Sequence, residues 1–384
     1  MPRDHGASMI RRVGIVLLSI GTSCLAEDVA VGKSAVKDTD WPMFRGNRAL
    51  TGVATSELPE KLDVVWEFDA GAGVASTAAI AAGRVFFGCD DEHLYALDLA
   101  SGKPLWKYAG EGPIQSSPLV QDDRVVFGDD VGWLHAVSLD SGQRLWRFET
   151  NGQIISSPTS DDGKIVFGSY DGFVYCLAAK DGSLLWKYET EGRVHASPAV
   201  VNASVLVAGC DEYLHVVSLS SGESIRKISM DSVTGASPAV RGSMAYVGTY
   251  GEQVRGIDWQ SGQIKWSFKD PDKGFPFVSS AAVQGDVVVI GGRDKRLRGL
   301  DAEDGTVKWT VSTKGKIDSS PVIVGQRVYC ASGDGVLHAL ALQDGKEQWR
   351  FDSGGAISAS PAVGAGRLVI GTLDGLVYCF GSKP

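Results

Sequence analysis

Tryptophan recurs at a fixed interval: Trp66, Trp106, Trp146 and Trp186 stand 40 residues apart, and Trp266, Trp309 and Trp349 resume the series after one gap, which Arg226 fills in register. A period of that length marks a repeat architecture, in which each unit is too small to bury its own apolar face and must stack on its neighbours. One unit reads Trp146-Arg-Phe148, Gly152, Ile154, Ser156-Ser-Pro158, Lys164-Ile-Val-Phe-Gly168, Asp171-Gly172, Val174-Tyr-Cys-Leu177 and Asp181-Gly182. Its apolar stretches of five or six residues alternate and are separated by glycine-bearing turns, which is a strand signal and leaves no window for an amphipathic helix. Glycine, at 48 of 384 residues against about 7% in ordinary chains, is abundant because such turns are frequent.

Eight such units predict an all-β fold, an eight-bladed β-propeller of four-stranded blades. The last unit stops at Leu376-Val-Tyr-Cys-Phe380, before any tryptophan strand, while residues 62–68 form a tryptophan strand with no partner before it. The N-terminal strand is therefore expected to complete the C-terminal blade. Asp-Gly and Ser-Gly pairs supply positive-φ turn positions, and Ser-Ser-Pro is expected to start the innermost strand, where only small side chains fit. Each tryptophan is expected on the outer strand against the next blade, burying roughly 150–250 Å2, an upper bound of about 4–6 kcal/mol.

The first residues read as an export signal: Arg11 and Arg12, an apolar run from Val13 to Ile20 too short to span a bilayer, then small residues up to Ala26. The expected organisation is a signal at 1–26, a lead-in at 27–61 and the propeller at 62–384. Ser23-Cys24 resembles the end of a lipoprotein signal, although Gly21 stands where an aliphatic residue is usual. The expectation is a periplasmic or exported protein, with lipidation at Cys24 as the one route to outer-membrane contact. Loss of the signal removes Arg3, Arg11, Arg12 and Asp4 and takes the net charge from −9 to −11, which argues against a nucleic-acid partner. Cys89, Cys176, Cys210, Cys330 and Cys379 are odd in number and lack Cys-x-x-Cys spacing, so buried free thiols are expected instead of a zinc site or disulfide framework.

The combination Trp-x-Phe, Gly-x-Val/Ile, Ser-Ser-Pro, Gly-x-x-Asp-Gly-x-Leu-Tyr-Ala-Leu-Asp and Ser-Gly-x-x-Leu-Trp resembles the pyrroloquinoline-quinone-type propeller repeat over residues 62–380, and Trp41-Pro-Met-Phe-Arg-Gly46 resembles the segment that often precedes such propellers. The resemblance implies a propeller but no single activity, because that family holds quinone-dependent dehydrogenases and non-enzymatic propellers, among them the lipoprotein of the outer-membrane barrel-assembly machinery. Its dehydrogenases seat the quinone on two adjacent disulfide-bonded cysteines, use a calcium or lanthanide ion, and carry long insertions between blades. This chain has no Cys-Cys pair, and its repeat intervals are 40 residues except for one of 43. The expected function is thus a non-catalytic, cofactor-free, monomeric disc binding envelope proteins. A quinone-dependent oxidoreductase and a calcium-stabilised carbohydrate binder are the alternatives.

Candidate sites follow from where the repeats diverge. Asp90, Asp91 and Glu92 beside Asp129 and Asp130 are carboxylates on turns of neighbouring blades, with the hard oxygen donors calcium takes. His135, His215 and His338 share one repeat position, expected to face outward on separate blades. Asp211 and Glu212 add negative charge to the same face, and Arg293, Lys295, Arg296 and Arg298 on blade six oppose it, a field suited to orienting a charged partner. The 43-residue interval places its extra length in Asp270-Pro-Asp-Lys-Gly-Phe-Pro-Phe277, so Phe275 and Phe277 with Arg293, Lys295 and Arg296 are the candidate partner-binding residues; the alternative is that Phe277 replaces the core residue of the Ile154 type and Phe275 folds down over the channel mouth.

Overall fold

A computed structural model describes residue 37 and residues 39–382; the export segment and Cys24 lie outside the described residues. The chain forms eight antiparallel sheets in chain order, and no helix occurs among the described residues. Blade one is typical, with strands Ala79–Ala81, Arg84–Gly88, His93–Asp98 and Pro104–Ala109 paired consecutively. The innermost strands are three residues long, and Ser-Ser-Pro precedes them where the sequence had it starting them. Blade eight is Ala362–Gly364, Arg367–Gly371 and Leu376–Gly381 completed by Asp63–Asp69, with Trp66 opposite Cys379, so the N-terminal strand closes the ring as expected.

The repeated residues make the blade-to-blade contact. Trp66, Trp106, Trp146, Trp186, Trp266 and Trp309 each donate the indole N–H to a carbonyl of the next blade, on Leu99, Leu139, Ala179, Leu219, Ala302 and Leu342, at 2.8–3.2 Å. Each ring lies on the glycine of the next blade's outer turn: a Cβ on Gly142 (φ +69°) would come within 2.6 Å of Trp106. That glycine is needed for two reasons, its backbone conformation and the seat it leaves for the indole. Arg226 keeps the contact by donating to the carbonyl of Gln260, and Trp259, buried at a position that is Leu or Ala in the blades just named, donates its indole N–H to the Gly242 carbonyl of its own blade.

Inner strands expose unpaired amides to the central channel, and the lead-in satisfies most of them. Carbonyls of Thr39, Trp41, Pro42, Arg48, Ala49, Thr51 and Gly52 accept the amides of Ala365, Ile80, Val120, Val200, Val240, Val283 and Ile323. Val53–Ala54 then pairs parallel to the inner strand of blade seven as a fifth strand. Trp41, Met43 and Leu50 are buried, so the lead-in closes one end of the channel as part of the core.

Candidate functional site

The open end of the channel lies on the face carrying the turns between second and third strands and the connections between blades. Three tiers of equivalent residues surround it, because each blade delivers the same repeat positions at the same radius. The rim consists of Asp90, Asp130, Tyr170, Cys210, Tyr250, Arg293, Gly333 and Leu373, each held by its amide to a carbonyl of the preceding connection. Below it, Gln115, His195, Asp318 and Ser358 are among the residues of the mouth. Deeper still is a closed ring of hydrogen bonds. The amide of residue 77, 117, 157, 197, 237, 280, 320 or 360 donates to the hydroxyl of its counterpart one blade on, at 2.8–3.3 Å, and Ser360 returns to Thr77. The space enclosed is about 150 Å3, with Phe44 of the lead-in at its floor.

Side chains of rim and mouth pair across tiers. The Tyr170 hydroxyl lies 2.6 Å from Nδ1 of His195, whose pKa burial lowers, and Arg293 donates to Asp318 at 2.8 Å while Lys316 pairs with the same carboxylate at 2.6 Å. Asp130 has no such partner. Its Oδ1 is shielded and unbonded, and burial, followed by the charges of Asp90 and Asp129, pushes its carboxyl up to about 6.

Asp129 and Asp91, also proposed for calcium, are engaged by bonds within the protein. Asp129 accepts from Nε2 of His135 at 2.9 Å and from the amides of Trp133, Gly132 and Glu111; burial would raise its pKa, but these bonds outweigh burial and hold it below the usual carboxylate range. Asp91 accepts from the Tyr95 hydroxyl at 2.6 Å and the amide of His93, and Glu92 stands at φ +71° in the turn. Among the described residues no group of three or more His, Cys, Asp or Glu converges as a metal site.

Several positions differ from the sequence reading. His135 and His215 face inward and are fully buried, because the third strand turns that position into the seam between blades, where Nδ1 of His135 lies 3.1 Å from the Tyr108 hydroxyl of blade one. Arg298, the equivalent residue of blade six, is likewise buried between Phe268 and Phe277 and paired with Asp270 and Asp294. Phe277 is not on the surface. At 2% exposure it takes the core position of Ile154 and Ile317, packed against Gly248 as those pack against Gly128 and Gly291. Arg293 and Arg296 are engaged by Asp318 and Asp270, which leaves Lys295 as the exposed cation of this group and removes most of the positive field. All five described cysteines are free thiols, and Cys210 is exposed on the rim instead of buried.

Phe275 does stand out, 47% exposed, with Tyr250, Val131 and Leu373 also exposed on turns of this face. Asp270 anchors its loop by accepting the amides of Asp272 and Lys273 and a bond from Arg296 at 3.1 Å. The hydroxyl ring, the floor made by the lead-in and buried Arg45 were not found from sequence. The repeated second serine was the available signal for the ring, and it reads as a demand for small side chains until the geometry shows what the hydroxyl accepts.

Comparison with known proteins places this geometry. A family model described as outer membrane protein assembly factor BamB matches residues 61–133, 130–267, 205–332 and 272–383. No curated protein sequence matches significantly. Among solved structures, BamB from Moraxella catarrhalis is 21% identical, with 84% of this chain and 98% of that chain covered and a TM-score of 0.72. The quinohemoprotein alcohol dehydrogenase of Comamonas testosteroni is 12% identical over 90% of this chain and 81% of its own, with a TM-score of 0.76. The computationally designed Ika8 protein is 16% identical over 86% and 99%, with a TM-score of 0.72. At such identities each likeness shows the fold alone.

Proposed function

The chain belongs to the outer membrane protein assembly factor BamB family, and from that premise we propose that it is a non-catalytic scaffold of the cell envelope that presents the open face of its propeller to a protein partner. The observation that carries this reading is Phe275: a large aromatic side chain, 47% exposed, on a loop anchored through Asp270. Exposed Tyr250 and Lys295 share its face, and a fixed aromatic flanked by polar groups is the usual form of an interface anchor. Envelope location rests on the family and on the export signal read at residues 1–26.

A quinone with its metal is poorly matched by the residues present. The sequence has no adjacent cysteines, no three metal-ligating side chains converge among the described residues, and the channel, at about 150 Å3, is below the roughly 300–1,000 Å3 of small-molecule sites. Two measurements test the reading. Incubation with pyrroloquinoline quinone and calcium is expected to give no dye-linked oxidation of alcohols or aldoses, and turnover would overturn the scaffold assignment. A photocrosslinking residue at Phe275 is expected to trap a discrete envelope protein that the same residue at Asp162, on an exposed turn of the opposite face, does not; equal adducts from both positions would remove the face from consideration.

A further inference from the structure

Eight hydroxyls converge on the channel axis, all at least nine-tenths buried, and each oxygen already accepts an amide of the neighbouring blade. None of their protons has an acceptor among the described residues, so the ring faces the cavity as a set of O–H donors. Behind the wall of the cavity, and not among the residues that line it, lies Arg45, with no exposure at all. Its Nη2 donates to the carbonyls of Ala281 at 2.9 Å and Pro321 at 2.6 Å, while Nε and Nη1 have no partner. Ala281 and Pro321 directly follow Ser280 and Ser320 of the hydroxyl ring, so the guanidinium is held one residue beyond the ring, between blades six and seven. Phe44, its neighbour in the chain, lines the cavity itself.

No carboxylate pairs with Arg45 among the described residues. Burial lowers its pKa to about 9, which leaves it charged at neutral pH. An unpaired buried cation is costly, and a counter-charge nearby is the ordinary remedy. We propose that the channel is a binding site for a small monoanion, of halide or formate size, held by the hydroxyl ring above the uncompensated charge of Arg45. A cavity of about 150 Å3 holds such an ion with a few waters, at roughly 30 Å3 each. Entry is through the mouth at His195 and Gln115; Asp318 there is neutralised by Arg293 and Lys316. Occupancy would tie all eight blades to one centre.

The probe is bromide. In crystals of the full chain grown in sodium bromide, an anomalous peak is expected on the channel axis within hydrogen-bond reach of the hydroxyls. In solution, bromide is expected to raise the melting temperature saturably beyond the effect of gluconate at equal ionic strength. Arg45→Met should weaken bromide binding at least tenfold and erase that difference, whereas Asp130→Asn, which removes an unpaired carboxylate from the rim, should tighten it. If Arg45→Met does not fold, chloride-35 line broadening on the unmodified protein, displaced by bromide but not by gluconate, serves instead. Water alone on the axis at high bromide, or identical melting in bromide and gluconate, would overturn the site. Neither result bears on Phe275, so the scaffold reading stands or falls separately.

Discussion

Phe277→Ala separates the two aromatic residues of the blade-six loop. The Phe277 ring is 6.2 Å from that of Phe268 and 5.5 Å from the Arg298 guanidinium, and its backbone closes on Gly248. Burying a phenylalanine removes roughly 150–250 Å2 from water, an upper bound of about 4–6 kcal/mol, and truncations of this kind in cores cost about 3–5 kcal/mol. The cavity would open beside Arg298, whose charge is buried with Asp270 and Asp294, so little collapse can offset it. We expect a loss of about 4 kcal/mol, read as a fall in the urea midpoint at unchanged slope. Phe275→Ala, at an exposed position, is expected to stay within about 0.5 kcal/mol in the same assay while weakening partner capture by about 2 kcal/mol, near 30-fold. Should Phe277→Ala leave the midpoint in place while Phe275→Ala lowers it, the assignment of core and surface in this loop is wrong.

Gly142→Ala is expected to lower stability by about 2–3 kcal/mol, because strain at φ +69° adds to a clash with Trp106, whereas Gly163→Ala, at φ +70° with nothing within 4 Å, should cost only about 1 kcal/mol; equal midpoints would refute the glycine's role as the indole's seat. Asp130 has a carboxyl pKa raised from 3.8 to about 6, so the folded state binds more protons than the unfolded one between those values and stability falls as pH rises through them. Asp130→Asn should therefore be more stable than the parent at pH 7, by on the order of 1 kcal/mol after allowing for solvent screening, with the gain disappearing near pH 4; a pH-independent difference in urea titrations would refute this. Of the five described cysteines, a maleimide is expected to label Cys210 alone in the native protein and all five after denaturation without reductant, as counted by mass; fewer on denaturation would reveal a disulfide.

How much was legible in sequence depends on the range of the interaction involved. Blade number, the outer tryptophans and closure by residues 62–68 follow from a period and its broken ends, since a repeat that cannot bury its own faces has few ways to stack. Strand limits were less clear: the inner strand shrinks to three residues because Ser-Ser-Pro uses its amides and hydroxyls between blades. Phe275 and Phe277 are two residues apart with the same chemistry; register with Ser279 offered Phe277 the place of Ile154, but the inserted length left exposure of both open until the packing against Gly248 decided it. The charges of blade six read as a surface field until Asp270, Asp294 and Asp318, supplied by other turns, are seen to neutralise them. The lead-in, Arg45 and the hydroxyl ring were decided only by tertiary structure. Their partners lie as far apart as Thr39 and Ala365, 326 residues, and a single repeat, which shows the serine, cannot show the seven others that close the circle.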